Sequence, residues 1–110
     1  MPRLVIAAYR PKPGQHGALL ALVREHAPTL RRLGLATDRP AIAMRAADGT
    51  MLEVFEWTSR EAIDRAYHDP DVQVPWSKFG AACDYVALDS VAEARQLFAE
   101  FEPIDPQEQA

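Results

Sequence analysis

Apolar positions follow two rhythms along this chain. Residues 3–10, RLVIAAYR, are a dense apolar run with β-branched side chains, which predicts a first strand. PKPG at 11–14 ends it, because proline supplies no amide donor and glycine relaxes the backbone. From about 15 to 33 the period lengthens. Leu19, Leu22, Val23, His26, Leu30 and Leu33 recur at three- and four-residue steps, the stripe of an amphipathic helix. Gly34 is a natural stop, and Pro28 inside the pattern predicts a kink or a division.

RPAIAMRA (39–46) and TMLEVFEW (50–57) return to the strand rhythm on either side of ADGT. Asp48-Gly49 signals a two-residue hairpin turn with positive φ at both positions. That register pairs Ala47 with Thr50 and Met44 with Glu53. It sets Ala41, Ala43, Arg45, Leu52, Val54 and Glu56 on one face, and Ile42, Met44, Met51, Glu53, Phe55 and Trp57 on the other. Thr58 and Glu61 have the spacing of a capping box for a helix over 59–67. Asp69-Pro70 reads as an N-cap and first residue of a third, short helix, which Pro75 makes irregular. CDYVALD (83–89) reads as a fourth strand. Ser90 and Glu93 open a last helix over VAEARQLFAEF, and EPIDPQEQA is a polar tail with a flexible end.

The order β-α-β-β-α-(α)-β-α predicts an α+β fold of the ferredoxin-like, split βαβ kind: a four-stranded antiparallel sheet with helices on one face. A length of 110 residues suits one domain, residues 1–100, followed by a tail at 101–110. Both faces of the central hairpin are largely apolar. The chain's own helices can cover one. A second copy of the sheet is the economical cover for the other, so a homodimer through sheet-to-sheet packing is expected.

Charge narrows the partners. The net charge is −4 with both signs interspersed, which argues against a nucleic-acid ligand. No stretch approaches the roughly 20 apolar residues of a membrane span, and the chain begins with a strand rather than a signal peptide. The single cysteine, Cys83, has no internal partner, and a reducing, cytoplasmic setting is the simplest reading.

The strand order, the segment EVFEWTSREAIDRAYHDP and VPWSKF after it resemble the antibiotic biosynthesis monooxygenase-like domains of the dimeric α/β-barrel superfamily. The resemblance covers residues 3–89 or so. It implies two sheets packed across a dimer, a small-molecule pocket between each sheet and its helices, and cofactor-independent oxidation of an aromatic or quinol-type molecule. A haem-degrading branch of that superfamily uses an Asn, a Trp and a His where this chain has Tyr9, Ala66 and Trp76, so that branch does not fit.

Candidate chemistry is concentrated in a few residues. Burying Glu53 among apolar neighbours disfavours its charged form unless donors satisfy it, which makes it a candidate acid or base or a structurally paired carboxylate. Glu56, nearer the strand end, is expected to reach water or an arginine. His26 on the helix stripe faces the sheet and is a candidate base for a phenol or quinol, or a core histidine held by one hydrogen bond. Tyr9, Trp57, Trp76 and Tyr85, with Tyr67 and Phe79, could line an aromatic pocket or simply fill the core. His16 and His26 lie about 15 Å apart along a helix and cannot share a metal, and no spacing resembles a zinc site. His68 reads as a surface residue and Cys83 as an inert buried thiol.

Overall fold

In the computed structural model, which describes residues 1–105, two long central strands carry the sheet. They are β1 (Arg3–Pro11) and β3 (Met51–Trp57), paired antiparallel from Arg3 opposite Trp57 to Tyr9 opposite Met51. β2 (Ile42–Arg45) flanks β3, and β4 (Cys83–Val86) flanks β1. A short β5 (Glu102–Pro103) joins the free edge of β2, giving the order β4-β1-β3-β2-β5. The sheet therefore has five strands among the described residues, not the expected four. The segment read as the start of a polar tail supplies the fifth. Ile104 follows it into the core, its amide bonded to the Ala43 carbonyl at 2.9 Å. The expected flexible end, residues 106–110, lies outside the described residues.

Three helices cover one face. α1 (His16–Arg32) runs unbroken past Pro28, which sits on its exposed side. Its end is a Schellman motif. Gly34 has φ 75°, the Leu35 amide reaches the Leu30 carbonyl and the Gly34 amide reaches that of Arg31. α2 (Arg60–Ala66) is capped by Ser59, whose hydroxyl accepts from the Ala62 amide at 3.0 Å. The cap is one residue later than expected, because the Thr58 hydroxyl donates to the Leu35 carbonyl instead. α3 (Pro70–Ala82) starts at Asp69 as expected, with Pro70 in the first turn, and continues through Pro75 for 13 residues.

Two differences from the sequence reading have clear causes. The hairpin register is shifted by one residue. Its loop holds three residues, Ala47 to Gly49, with the Gly49 amide on the Ala46 carbonyl and the Ala46 amide on the Thr50 carbonyl. Only Gly49 takes a positive φ, 92°, so Asp48 avoids the left-handed conformation that a two-residue turn would impose. Ala43 now faces Glu53 across the strands, and Ile42 pairs with Val54. The expected sharing of faces within β2 is thus exchanged: Ala43 lies on the helix side with Glu53, and Ile42 and Met44 lie on the other.

The last helix does not form. Leu88–Ser90 and Ala92–Arg95 are short 3₁₀ turns. The Glu93 carboxylate accepts from the Ala47 amide of the hairpin at 2.7 Å, and the Ser90 hydroxyl donates to the Ala87 carbonyl, so neither caps a helix. Val91 is buried against Ala8, Ala46 and Leu52, with Met44 and Phe101 beside them, on the sheet face away from the helices. Tertiary packing holds this segment in two short turns where an isolated short helix would be marginal. It covers only part of that face. Leu4, Ile6 and Ile42 remain exposed there, and Leu97 and Phe98 project into solvent.

Candidate functional site

Glu53 sits at the middle of β3 with an alanine on each side, Ala7 of β1 and Ala43 of β2. These short side chains leave room above the sheet, and two larger groups close over the carboxylate. Tyr9 reaches it from two residues further along β1, and His26 descends from the apolar stripe of α1. Tyr9 Oη donates to Glu53 Oε1 at 2.8 Å, and His26 Nδ1 lies 2.8 Å from the same oxygen. On the far side of the imidazole, Trp76 of α3 donates its indole Nε1–H to His26 Nε2 at 3.3 Å. Glu53 is 1% exposed and His26 8%. Phe55 and Phe79 stand edge-on to the imidazole, each with its ring centroid 5.2 Å away.

The donors fix the protonation pattern. An indole N–H can only donate, so Nε2 of His26 accepts and carries a lone pair. The ring proton therefore sits on Nδ1 and is donated to Glu53. Tyr9 also donates to Glu53, so the carboxylate is the acceptor for both. Two donors on one oxygen offset the cost of a buried negative charge. The Tyr9 hydroxyl is held well above the usual tyrosine value of 10, first by burial and then by the charge and hydrogen bond of Glu53. It remains a donor at neutral pH. Tyr85 is pushed up to about 12, chiefly by partial desolvation.

The imidazole forms part of the wall of a cavity of about 720 Å³ between the sheet and the helices. Val5, Ala7, Tyr9, Phe55 and Trp57 supply the sheet side. Ile63, Tyr67, Trp76 and Phe79 supply much of the helix side, while Gln73, Ser77 and the exposed Tyr85 lie at the mouth. No Lys, Arg, Asp, Glu or Cys lines it among the described residues. Nε2 of His26 carries the imidazole lone pair at the cavity wall, and it accepts from the Trp76 indole. Such a cavity suits a flat, largely apolar molecule presenting a hydroxyl to Nε2.

His26, Tyr9, Trp57, Trp76 and Tyr85 all line this cavity, whereas Glu53 lies beneath the wall and meets it through Tyr9 and His26. The sequence reading surrounded Glu53 with Met44, Ile42 and Phe55. The shifted hairpin puts Ala43 beside it and removes Ile42 to the opposite face. Phe55, Val5 and Ala7 were missed as lining residues, although they share strand parity with Trp57 and Tyr9. Glu56 is structural: it accepts from the Thr37 hydroxyl at 2.9 Å and meets Arg39 Nε at 3.1 Å. His16 and His68 are exposed, and burial raises the thiol of Cys83. Among the described residues no three His, Cys, Asp or Glu side chains gather closely enough to hold a metal ion. No helix of these residues is long and apolar enough to cross a membrane.

The structure of Rv0793 from Mycobacterium tuberculosis is similar to this one, with a TM-score of 0.60 and 23% sequence identity over 79% of this chain and 94% of that one. At that identity the likeness concerns the fold, a small α+β architecture. No family model matches the chain, and no curated protein does.

Proposed function

We propose that the chain is a cofactor-independent oxygenase of the antibiotic biosynthesis monooxygenase-like kind, acting on a small hydroxylated aromatic or quinol-type molecule. The observation that carries this reading is the placement of His26, with a buried carboxylate on Nδ1 and a lone pair on Nε2 at a cavity wall. A carboxylate that orients an imidazole and stabilises its cation is the arrangement that makes histidine an effective general base. The substrate hydroxyl gives its proton to Nε2, and the anion left behind reacts with oxygen through ring carbon. One oxygen atom stays on carbon as the quinone forms. The other leaves as water with the O–H and C–H hydrogens. The protein removes the proton, excludes water and holds the anion; Tyr9 positions Glu53, and Trp57, Trp76 and Tyr85 shape the pocket.

The same reading includes a ferredoxin-like, cytoplasmic homodimer. Leu4, Ile6 and Ile42, exposed on the sheet face away from the helices, support a second copy packed there. A second reading, a non-catalytic binder of small aromatics, draws on the Trp76 hydrogen bond, which already occupies Nε2. Oxygen uptake with a panel of quinols and polycyclic phenols separates the two. Turnover lost in His26→Gln supports the enzyme. Saturable binding with no uptake for any member assigns the binder.

A further inference from the structure

The Trp76 indole lies where a substrate hydroxyl must go. Its N–H points at Nε2, the one ring nitrogen of His26 that carries a lone pair, while Nδ1–H is donated to Glu53. At 3.3 Å this is a long hydrogen bond between neutral groups, weak beside the 2.8 Å contacts on the carboxylate side. Trp76 is half-buried at the edge of the core, and its ring meets the exposed ring of Tyr67 edge-on, with centroids 5.4 Å apart. Both rings line the cavity. The indole N–H is thus a weakly held, displaceable donor on the base.

Resting on the function proposed above, we infer that Trp76 is a specificity and oxyanion residue: its N–H caps His26 in the free protein and is handed to the aryl oxygen when a substrate hydroxyl takes its place on Nε2. The exchange strands no hydrogen-bonding group. Before binding, Nε2 accepts from indole. After binding, Nε2 accepts from the aryl O–H, and the freed indole N–H donates to the same oxygen. When the proton moves to Nε2, the aryl oxygen becomes the anion and the imidazolium lies between it and the Glu53 carboxylate. Net charge in the site is unchanged, and the indole donor then faces a full negative charge. A hydrogen bond to a charged group is worth more than one to a neutral group, so the same N–H favours the anion over the phenol. An aromatic ether cannot make the exchange. It would leave the indole N–H and Nε2 paired with each other, and the cavity would discriminate for hydroxyl-bearing ligands.

4-Nitrophenol, whose anion is coloured, and its methyl ether 4-nitroanisole are suitable probes. In the unaltered protein, titration with 4-nitrophenol is expected to move the Trp76 indole N–H resonance, while 4-nitroanisole leaves it in place. The chain has only two tryptophans, Trp57 and Trp76, which keeps the assignment simple. By absorbance, Trp76→Phe is expected to bind the probe yet lower the ratio of bound nitrophenolate to bound nitrophenol roughly 10- to 100-fold. Movement of the indole signal by both probes or by neither overturns the exchange, whether or not the variant folds. An unchanged ratio in Trp76→Phe overturns the oxyanion role and leaves His26 as base untouched. If the unaltered protein binds nitrophenol only in its neutral form, the base reading of His26 falls, and the oxyanion role falls with it.

Discussion

Replacing Glu53 with Gln and with Ala tests whether one buried oxygen organises this site. Both changes remove the same buried charge, so the relief of its desolvation, several kcal/mol by itself, is common to the two and cancels in their comparison. Gln keeps a carbonyl oxygen where Oε1 accepts from Tyr9 and His26, at 2.8 Å each. It loses only the charge assistance, about 1 kcal/mol per bond. Ala leaves the Tyr9 hydroxyl and the His26 Nδ1–H without that acceptor, at about 1–3 kcal/mol for each stranded donor. Glu53→Ala is therefore expected to be less stable than Glu53→Gln by roughly 2–6 kcal/mol. At about 4 °C per kcal/mol for a domain of this size, that is a gap of at least about 8 °C in Tm. Thermal unfolding by circular dichroism at pH 7 measures it, with size-exclusion elution to check that Glu53→Gln keeps the assembly of the unaltered chain. A gap under about 3 °C, on the same conversion, refutes the idea that Oε1 satisfies both donors. Collapse of Glu53→Gln itself removes the catalytic reading of this residue, since the charge would then be needed for the fold.

Tyr9 gives a pH-dependent counterpart. Its hydroxyl is held above 10 in the folded chain, so above pH 10 the unfolded chain binds fewer protons there. Stability should then fall by about 1.4 kcal/mol per pH unit until the folded group ionises. Tyr9→Phe should flatten that fall in urea titrations between pH 9 and 11 while costing about 1–2 kcal/mol at pH 7 through the lost donor to Glu53. Gly49→Ala should cost about 1–2 kcal/mol in the same assay, because φ at 92° is unfavourable for a residue with a Cβ; no loss would contradict the three-residue turn. Ile6→Lys, on the exposed sheet face, should convert the proposed dimer to a monomer in light scattering. A dimer that survives the lysine places the interface elsewhere.

The fold was legible where one local rule decided the outcome. The stripe on α1, the Gly34 stop and the Asp69-Pro70 start are each set within a few residues, and each is observed. The sequence reading failed where two local rules competed or where a distant contact overruled both. Asp48-Gly49 fits a two-residue turn, but a three-residue loop needs positive φ at glycine alone, and that lower strain moved the register by one. Ser90 and Glu93 have capping-box spacing. The Glu93 carboxylate instead finds the Ala47 amide, 46 residues away in sequence, and Val91 finds Ala8 and Leu52. β5 was invisible for the same reason: two residues carry no periodicity, and the edge of β2 selects them.

The site shows the same division on a smaller scale. The helix stripe was enough to nominate His26, and residue type to nominate Tyr9, Trp57, Trp76 and Tyr85; all five line the space between sheet and helices. What no spacing could supply was which of them touch. Glu53 lies 44 residues from Tyr9 and 27 from His26, and both bond the same oxygen only because Ala7 and Ala43 are too short to fill the space above it. In the sequence reading the flanking residue was Met44, which would have occupied that space. A one-residue register error therefore hides a hydrogen-bonded pair that depends on the small size of its neighbours. Ala43→Leu should reverse the effect: a side chain packed over Glu53 would displace Tyr9 or His26, cost about 1–3 kcal/mol by overpacking, and move the His26 Nδ1–H resonance. If that resonance stays in place, alanine at this position is not what gives His26 access to the carboxylate.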